Sequence, residues 1–345
     1  MVTEALAPVR GFVPHRGRGA TLILASSVCF GSSGTIAKPA MLAGLSAEQV
    51  AAARIGLAAL VLAAGVALVK PSLLRVRRAE WPLLFGYGLL GVAGVQLCYF
   101  VAAGRLPVGI AILLEFTSPV LIALWTRYVR GVRLPGRMWA GIALAMAGLA
   151  GVAQVWQGLS LDAAGLLAGL GAAVCSAAYF LLGEHGVTTR DPIGMVTWGM
   201  IIGAVAVCVV APPWTMPADV LTAPAEFGPW QPPVWLLLVA VALFSTVLAY
   251  AVGLTALRHL PAAVASVIGL LEPLIATATA WALLHETLAW PQLLGAVVLL
   301  GGALIVQLNP PRPATPQAPA RHIFDNVPDG GSPTRSDPPA RRSPG

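Results

Sequence analysis

The sequence predicts an all-α membrane protein: ten transmembrane helices arranged as two inverted five-helix repeats. Three observations carry that prediction. The composition suits lipid rather than water, ten apolar stretches have the length to span a bilayer, and the second half of the chain repeats the first with its loop charges reversed.

Of the 345 residues, 57% are hydrophobic and 10% charged, with a mean hydropathy of +0.81. Soluble domains carry about 25% charged residues, so most of this chain must be solvated by something other than water. A helix needs about 20 apolar residues to cross the hydrocarbon core. Such stretches fall at 20–37, 47–69, 81–104, 107–126, 138–155, 162–183, 193–213, 233–255, 261–284 and 289–308. None alternates apolar and polar residues as a barrel strand does, so helices must satisfy the backbone within lipid.

The net charge of +7 raises the question of nucleic acid, and its placement answers it. With the N-terminus in the cytoplasm and ten spans, the inner side receives Arg10, Arg16 and Arg18, the cluster Lys70, Arg75, Arg77 and Arg78, and the cluster Arg127, Arg130, Arg133 and Arg137. It also receives Arg190, Arg258 and the five arginines of the tail. The outer side receives Lys38 and Arg105, while Arg54 lies within a span. Eighteen against two is a positive-inside bias, which points to a lipid bilayer and not to nucleic acid.

The repeat has an offset of 154 residues. Leu106-Pro107 returns as Leu260-Pro261, Ala111 as Ala265, Pro119 as Pro273, Leu134 as Leu288, Gly141 as Gly295 and Gly148 as Gly302. Five spans per half is an odd number, so the second half enters the membrane upside down. The loop charges agree: 70–80 is basic and its counterpart 214–232 carries no Arg or Lys, while 127–137 holds four Arg and 285–291 none. Similar halves with opposite loop charge are what an inverted repeat requires.

The chain therefore divides into a cytoplasmic leader at 1–19, a first five-helix repeat at 20–155, a second at 162–308, and a tail at 310–345. A retained first helix is favoured over a cleaved signal peptide, because 162–183 needs its repeat partner. The tail holds ten of the 29 prolines and reads as disordered and cytoplasmic. Cys29, Cys98, Cys175 and Cys208 all lie in spans without CxxC spacing and read as small packing residues.

Charged residues within spans are few enough to weigh singly. Arg54 lies about eight residues into the second span, roughly 12 Å below the outer edge. It reads either as an anion site or partner for Glu115, or as a structural arginine tied to backbone carbonyls. Each half carries a carboxylate just before its second proline and at matching depth: Glu115 in LLEFTSP and Glu272 in GLLEP. A carboxylate out of water needs a proton or a cation beside it, which is the chemistry of a proton-coupled carrier. Pro119 and Pro273 are candidate kinks or hinges, since a proline within a helix removes a backbone hydrogen bond. Lys38 and Glu286, at the outer ends of spans one and nine, are candidates for an outer gate. The in-span aromatics Tyr99, Tyr179, Trp198 and Tyr250 are pocket candidates, and Gln96 shares the register of Tyr250.

Enzyme motifs are lacking. His285-Glu286 begins like HExxH, but position 289 is Ala, so no zinc pair forms. There is no GxxxxGK[ST] loop for ATP and no Ser, His and Asp set for nucleophilic attack. The sequence thus predicts no catalytic residues, no metal and no cofactor.

At these motifs the chain resembles the drug/metabolite transporter superfamily, and within it the ten-helix EamA members, over residues 20–308. LPVGIAILLEFTSPVLIALW at 106–125, GTIAKPAMLAG and AAARIGLAAL at 34–60, and LLEPLIATATAWALLHETL at 270–288 resemble the threonine and homoserine exporter branch. The resemblance implies a multi-pass protein of the bacterial inner membrane that uses the proton gradient to export small amino acids or related metabolites by alternating access. It points to Lys38, Arg54, Glu115, Pro119, Glu272, Pro273 and Glu286. One departure is His285, which stands where a glycine usually precedes that last Glu. The expected partners are a small-molecule substrate, protons and lipid, with the carrier a monomer or homodimer. Efflux of drugs or other metabolites is the alternative cargo, and a gradient-independent channel or scramblase the alternative mechanism.

Overall fold

The computed structural model describes residues 14–156, 162–284 and 289–309, and they form an all-helical bundle. Its long elements are α1 (Arg16–Leu42), α2 (Ala47–Val69), α3 (Arg78–Ala103), α4 (Val108–Val129), α5 (Gly136–Val152), α6 (Ala163–Thr189), α7 (Pro192–Val210), α8 (Val234–Ala256), α9 (Ala262–Leu283) and α10 (Trp290–Leu308). Among the described residues, all but α5 are long and apolar enough to cross a membrane, and α5 is an apolar helix of 17 residues. The leader up to residue 13 and the stretch 310–345 lie outside the described residues.

Helix starts follow local chemistry. Ser46 opens α2 with a capping box: its hydroxyl accepts from the Gln49 amide at 3.2 Å, and the Gln49 side chain accepts from the Ser46 amide at 2.9 Å. Asp162 caps α6 by accepting from the Gly165 amide at 2.7 Å, and Asp191 caps α7 with Pro192 as the first helical residue. Helix α1 differs from the expected span at 20–37. It runs on through Pro39 and ends before Gly44, whose φ of 119° a residue with a side chain rarely adopts. Lys38 accordingly sits one turn inside the helix rather than at its end.

The packing has the twofold exchange an inverted repeat demands. Helix α1 packs on α8 and α9, as its repeat mate α6 packs on α3 and α4. Helix α2 meets α8 while α7 meets α3, and the pairs α2–α7, α4–α9 and α5–α10 map onto themselves. Small contacts obey the same rule: Gly19 lies against His259 and Leu260, and Gly165 against Arg105 and Leu106.

Helices α5 and α10 pack backbone to backbone along their glycines. A Cβ on Gly148 would stand 2.3 Å from the Leu299 amide, and one on Gly302 2.4 Å from the Ala145 amide. Gly141 and Gly295 meet facing backbone at 3.0 and 2.6 Å. These four glycines recur as two pairs at the 154 offset. In lipid, where apolar burial drives little association, small residues that admit backbone contact hold helices together.

Widened π-helical turns interrupt α3 at Tyr87–Gly94, α4 at Trp125–Val129 and α8 at Leu243–Leu248. Those of α3 and α8 overlap in the repeat register. Such turns re-aim the side chains that follow and occur often at functional sites.

Candidate functional site

Helices α4 and α9 each break near the middle. In α4 the segment Val108–Glu115 ends, Phe116 and Thr117 form a turn, and Ser118 begins the next segment with Pro119 second. In α9, Ala262–Gly269 ends, Leu270 forms the turn, and Leu271 starts again with Pro273 third. Both prolines are buried in the first turn of a new segment, where a missing N–H costs nothing to that segment. They therefore start helices instead of bending them. What they withhold is a donor to the carbonyl four residues earlier: Glu115 in one half and Gly269 in the other. Thr117 partly repairs the first break, its amide and its hydroxyl both donating to the Leu114 carbonyl at 3.1 and 2.6 Å.

A cavity of about 90 Å³ lies at these breaks, lined from α1, α3, α4, α6, α8 and α9. Glu115, Glu272, Gln96, Tyr179 and Tyr250 all face it, so five of the candidates read from the sequence share one chamber. Its other polar lining is hydroxyl: Ser26 and Ser27 from α1, Ser118, Ser176 and Ser266. Three of the serines spend their hydrogen on backbone. Ser26 donates to the Ala249 carbonyl at 2.8 Å, Ser27 to Ile23 at 3.0 Å and Ser266 to Ala263 at 3.5 Å. Ser118 and Ser176 instead bond to each other at 3.0 Å. The aromatic wall is ordered edge-to-face: Phe30 meets Tyr250 at 4.9 Å and Tyr179 meets Tyr250 at 5.5 Å.

Arg54 of α2 is not among the residues that line the chamber. Its Nη1 donates to the Ser33 hydroxyl at 2.8 Å, while its Nε is buried without a hydrogen-bond partner. A guanidinium held this way has hydrogen-bonding capacity left over, and a single hydroxyl does not neutralise it.

Of the outer-gate candidates, Lys38 is not among the residues that line the chamber. Lys38 is exposed near the end of α1, and Glu286 lies outside the described residues. On the opposite, arginine-rich face, side chains tie the bundle closely. Arg130 at the end of α4 pairs with Glu184 of α6, whose other oxygen accepts from the Ala262 amide at the start of α9 at 3.0 Å. Arg190 binds Glu80 at 2.6 Å and the Leu73 carbonyl at 2.6 Å.

The serines escaped the sequence reading because a lone hydroxyl in a membrane helix ordinarily bonds its own backbone. One signal was available. The 154 offset that pairs Pro119 with Pro273 also pairs Ser118 with Glu272, and Glu115 with Gly269. The carboxylates share a level in the bundle but not a register position.

Comparison with known proteins agrees with this architecture. The sequence matches the EamA-like transporter family over residues 17–154 and 163–308. The threonine/homoserine exporter RhtA of Salmonella typhimurium (strain SL1344) is 30% identical over 285 residues, 82% of this chain and 88% of that protein. RhtA of Escherichia coli (strain K12) is 31% identical over 269 residues, 76% of this chain and 84% of that protein. The uncharacterized transporter YyaM of Bacillus subtilis is 26% identical, covering 82% of this chain and 91% of that one. A crystal structure with 18% identity superposes with a TM-score of 0.69 over 85% of this chain and 98% of its own length, a likeness of fold. With both halves matched and two RhtA exporters related over three quarters or more of its length, this multi-pass membrane protein belongs to the EamA-like transporter family, in the drug/metabolite transporter superfamily.

Proposed function

We propose that this chain is a proton-coupled exporter of small amino acids, those bearing a hydroxyl such as threonine and homoserine foremost, working by alternating access. The observation that carries the reading is the meeting of Glu115 and Glu272 in one small cavity at the two helix breaks. A cavity of about 90 Å³ suits a small polar molecule, whereas pockets for drug-sized ligands run to roughly 300–1,000 Å³. The positive-inside bias supports both termini in the cytoplasm of the bacterial inner membrane.

In this mechanism the substrate carboxylate pairs with Arg54, whose Nε lacks a partner, and its ammonium is held by Glu115 and by the carbonyls freed at the breaks. Glu272 takes the coupling proton. Protonation from the outside weakens the hold on the ammonium, and the empty carrier returns with the proton bound. The two halves rock about the self-paired contacts α2–α7 and α5–α10.

Purified protein in proteoliposomes, given labelled threonine, homoserine and an imposed proton gradient, tests this. Gradient-driven flux that Glu115→Gln and Glu272→Gln both abolish is the expected result. Full flux in both variants sinks the mechanism, and flux indifferent to the gradient returns the chain to the channel reading. Movement of dyes in place of amino acids replaces the cargo.

A further inference from the structure

The five cavity serines are not equivalent, and the difference bears on what the site recognises. Ser26, Ser27 and Ser266 each donate to a backbone carbonyl, so toward the chamber they offer lone pairs alone. Ser118 and Ser176 form a pair of hydroxyls at 3.0 Å. Two hydroxyls hold two hydrogens, and their mutual bond uses one. Ser176 donates to Ser118, so Ser118 keeps its own hydrogen with no acceptor among the described residues, and the pair keeps lone pairs as well. Ser118 is 2% exposed and Ser176 half-buried, so this capacity is held out of bulk water on the wall of the chamber.

The pair also sits where the fold concentrates its chemistry. Ser118 directly precedes Pro119, as Glu272 directly precedes Pro273, so the two occupy one register position in the two halves. Ser118 lies three residues from Glu115 across the α4 break, which suits a molecule with an ammonium at one end and a hydroxyl a few bonds away.

We propose that Ser118 and Ser176 form the subsite that reads the side-chain hydroxyl of the substrate and set the preference for hydroxyl-bearing amino acids over their methyl isosteres. The pair can donate to that hydroxyl and accept from it at once. A methyl in its place leaves the spare Ser118 hydrogen without an acceptor in a desolvated site. That penalty is how a polar pocket rejects an apolar isostere. The assignment rests on the amino-acid exporter reading above.

The test uses the full chain in proteoliposomes and two isosteric pairs, threonine against valine and homoserine against norvaline. The wild type is expected to favour the hydroxyl member of each pair. Ser118→Ala and Ser176→Ala should each lower that preference about tenfold, the scale of one lost hydrogen bond, with valine and norvaline flux near the wild-type level. Ser118→Thr, which keeps the hydroxyl, should hold the preference. An unchanged ratio in both alanine variants overturns the proposal. Equal loss of all four substrates in both overturns it too, assigning the pair to packing. A wild type that carries all four equally overturns the hydroxyl subsite and leaves the amino-acid reading standing. One that carries none removes the exporter reading and this subsite with it.

Discussion

Helices α4 and α9 are one element used twice, and they handle the same interruption differently. Each begins after a proline, Pro107 or Pro261, and each restarts at a second proline 12 residues on, Pro119 or Pro273. In α4 the carboxylate closes the first segment, at the helix end where backbone carbonyls concentrate negative partial charge. In α9 that position is Gly269, and the carboxylate stands in the first turn of the second segment, at the end where amides concentrate positive partial charge. Their neighbours differ as well. Ser118 contacts Ser176 of α6, while a Cβ on Gly31 of α1 would stand 2.7 Å from the Glu272 carbonyl oxygen. Duplication thus supplied a break with two polar backbone ends in each half, and each half placed its carboxylate on the opposite end. The two acids have distinct surroundings from which to divide binding and coupling.

The sharpest break of this comparison removes one acid at a time. Glu115→Gln and Glu272→Gln should each lower gradient-driven flux by about two orders of magnitude, the scale of losing a required proton-transfer group. Counterflow of labelled for unlabelled substrate without a gradient should separate them: retained in Glu272→Gln and lost in Glu115→Gln. Identical behaviour in both assays would show the acids equivalent.

Exchanging the register mates asks the same question without changing net charge. The double variant Ser118→Glu with Glu272→Ser moves the carboxylate to the matching position of the other half. Transport is expected to stay lost, because the new acid faces α6 instead of α1. Recovery would mean that the halves are interchangeable.

Smaller effects come from the breaks themselves. Pro119→Ala or Pro273→Ala returns an amide to the carbonyl of Glu115 or Gly269 and lets the helix run through. Since one regained hydrogen bond is worth about 0.5–1.5 kcal/mol, the expected change is a roughly two- to tenfold fall in turnover with folding intact. Thermal unfolding in detergent and initial rates check it together.

Two stability measurements set the cavity helices against the interlocked pair. Gly148→Val or Gly302→Val forces backbone apart between α5 and α10 and should cost about 1–3 kcal/mol, read as a lower unfolding temperature. Glu184→Ala, which frees Arg130 and the Ala262 amide on a partly solvated face, should cost about 1 kcal/mol or less with transport retained.

Much of the fold is legible in the chain because lipid leaves so few choices. A run such as Val234–Ala256 must be a helix, since nothing else satisfies its backbone there, and the repeated Gly141, Gly148, Gly295 and Gly302 mark where two helices must touch. The breaks are legible from Pro119 and Pro273, though not their manner. That each proline starts a segment rather than bends one depends on where the preceding turn falls, and neighbouring helices decide that. Lys38 is a similar case: the apolar stretch ends at 37, yet Pro39 is buried inside α1.

Sequence by itself determined the class, the span count, the duplication and the rarity of buried charge, because each follows from transfer between water and hydrocarbon, which composition and order encode directly. Only tertiary structure decided that Glu115, Glu272, Gln96 and Tyr250 share a chamber, that Arg54 bonds to Ser33, and that Ser118 and Ser176 find each other. Those are relations between helices distant in sequence. A hydroxyl in a span carries no mark of whether it will spend its hydrogen on its own backbone or across a helix interface, and only the packing of six helices around one cavity settles it.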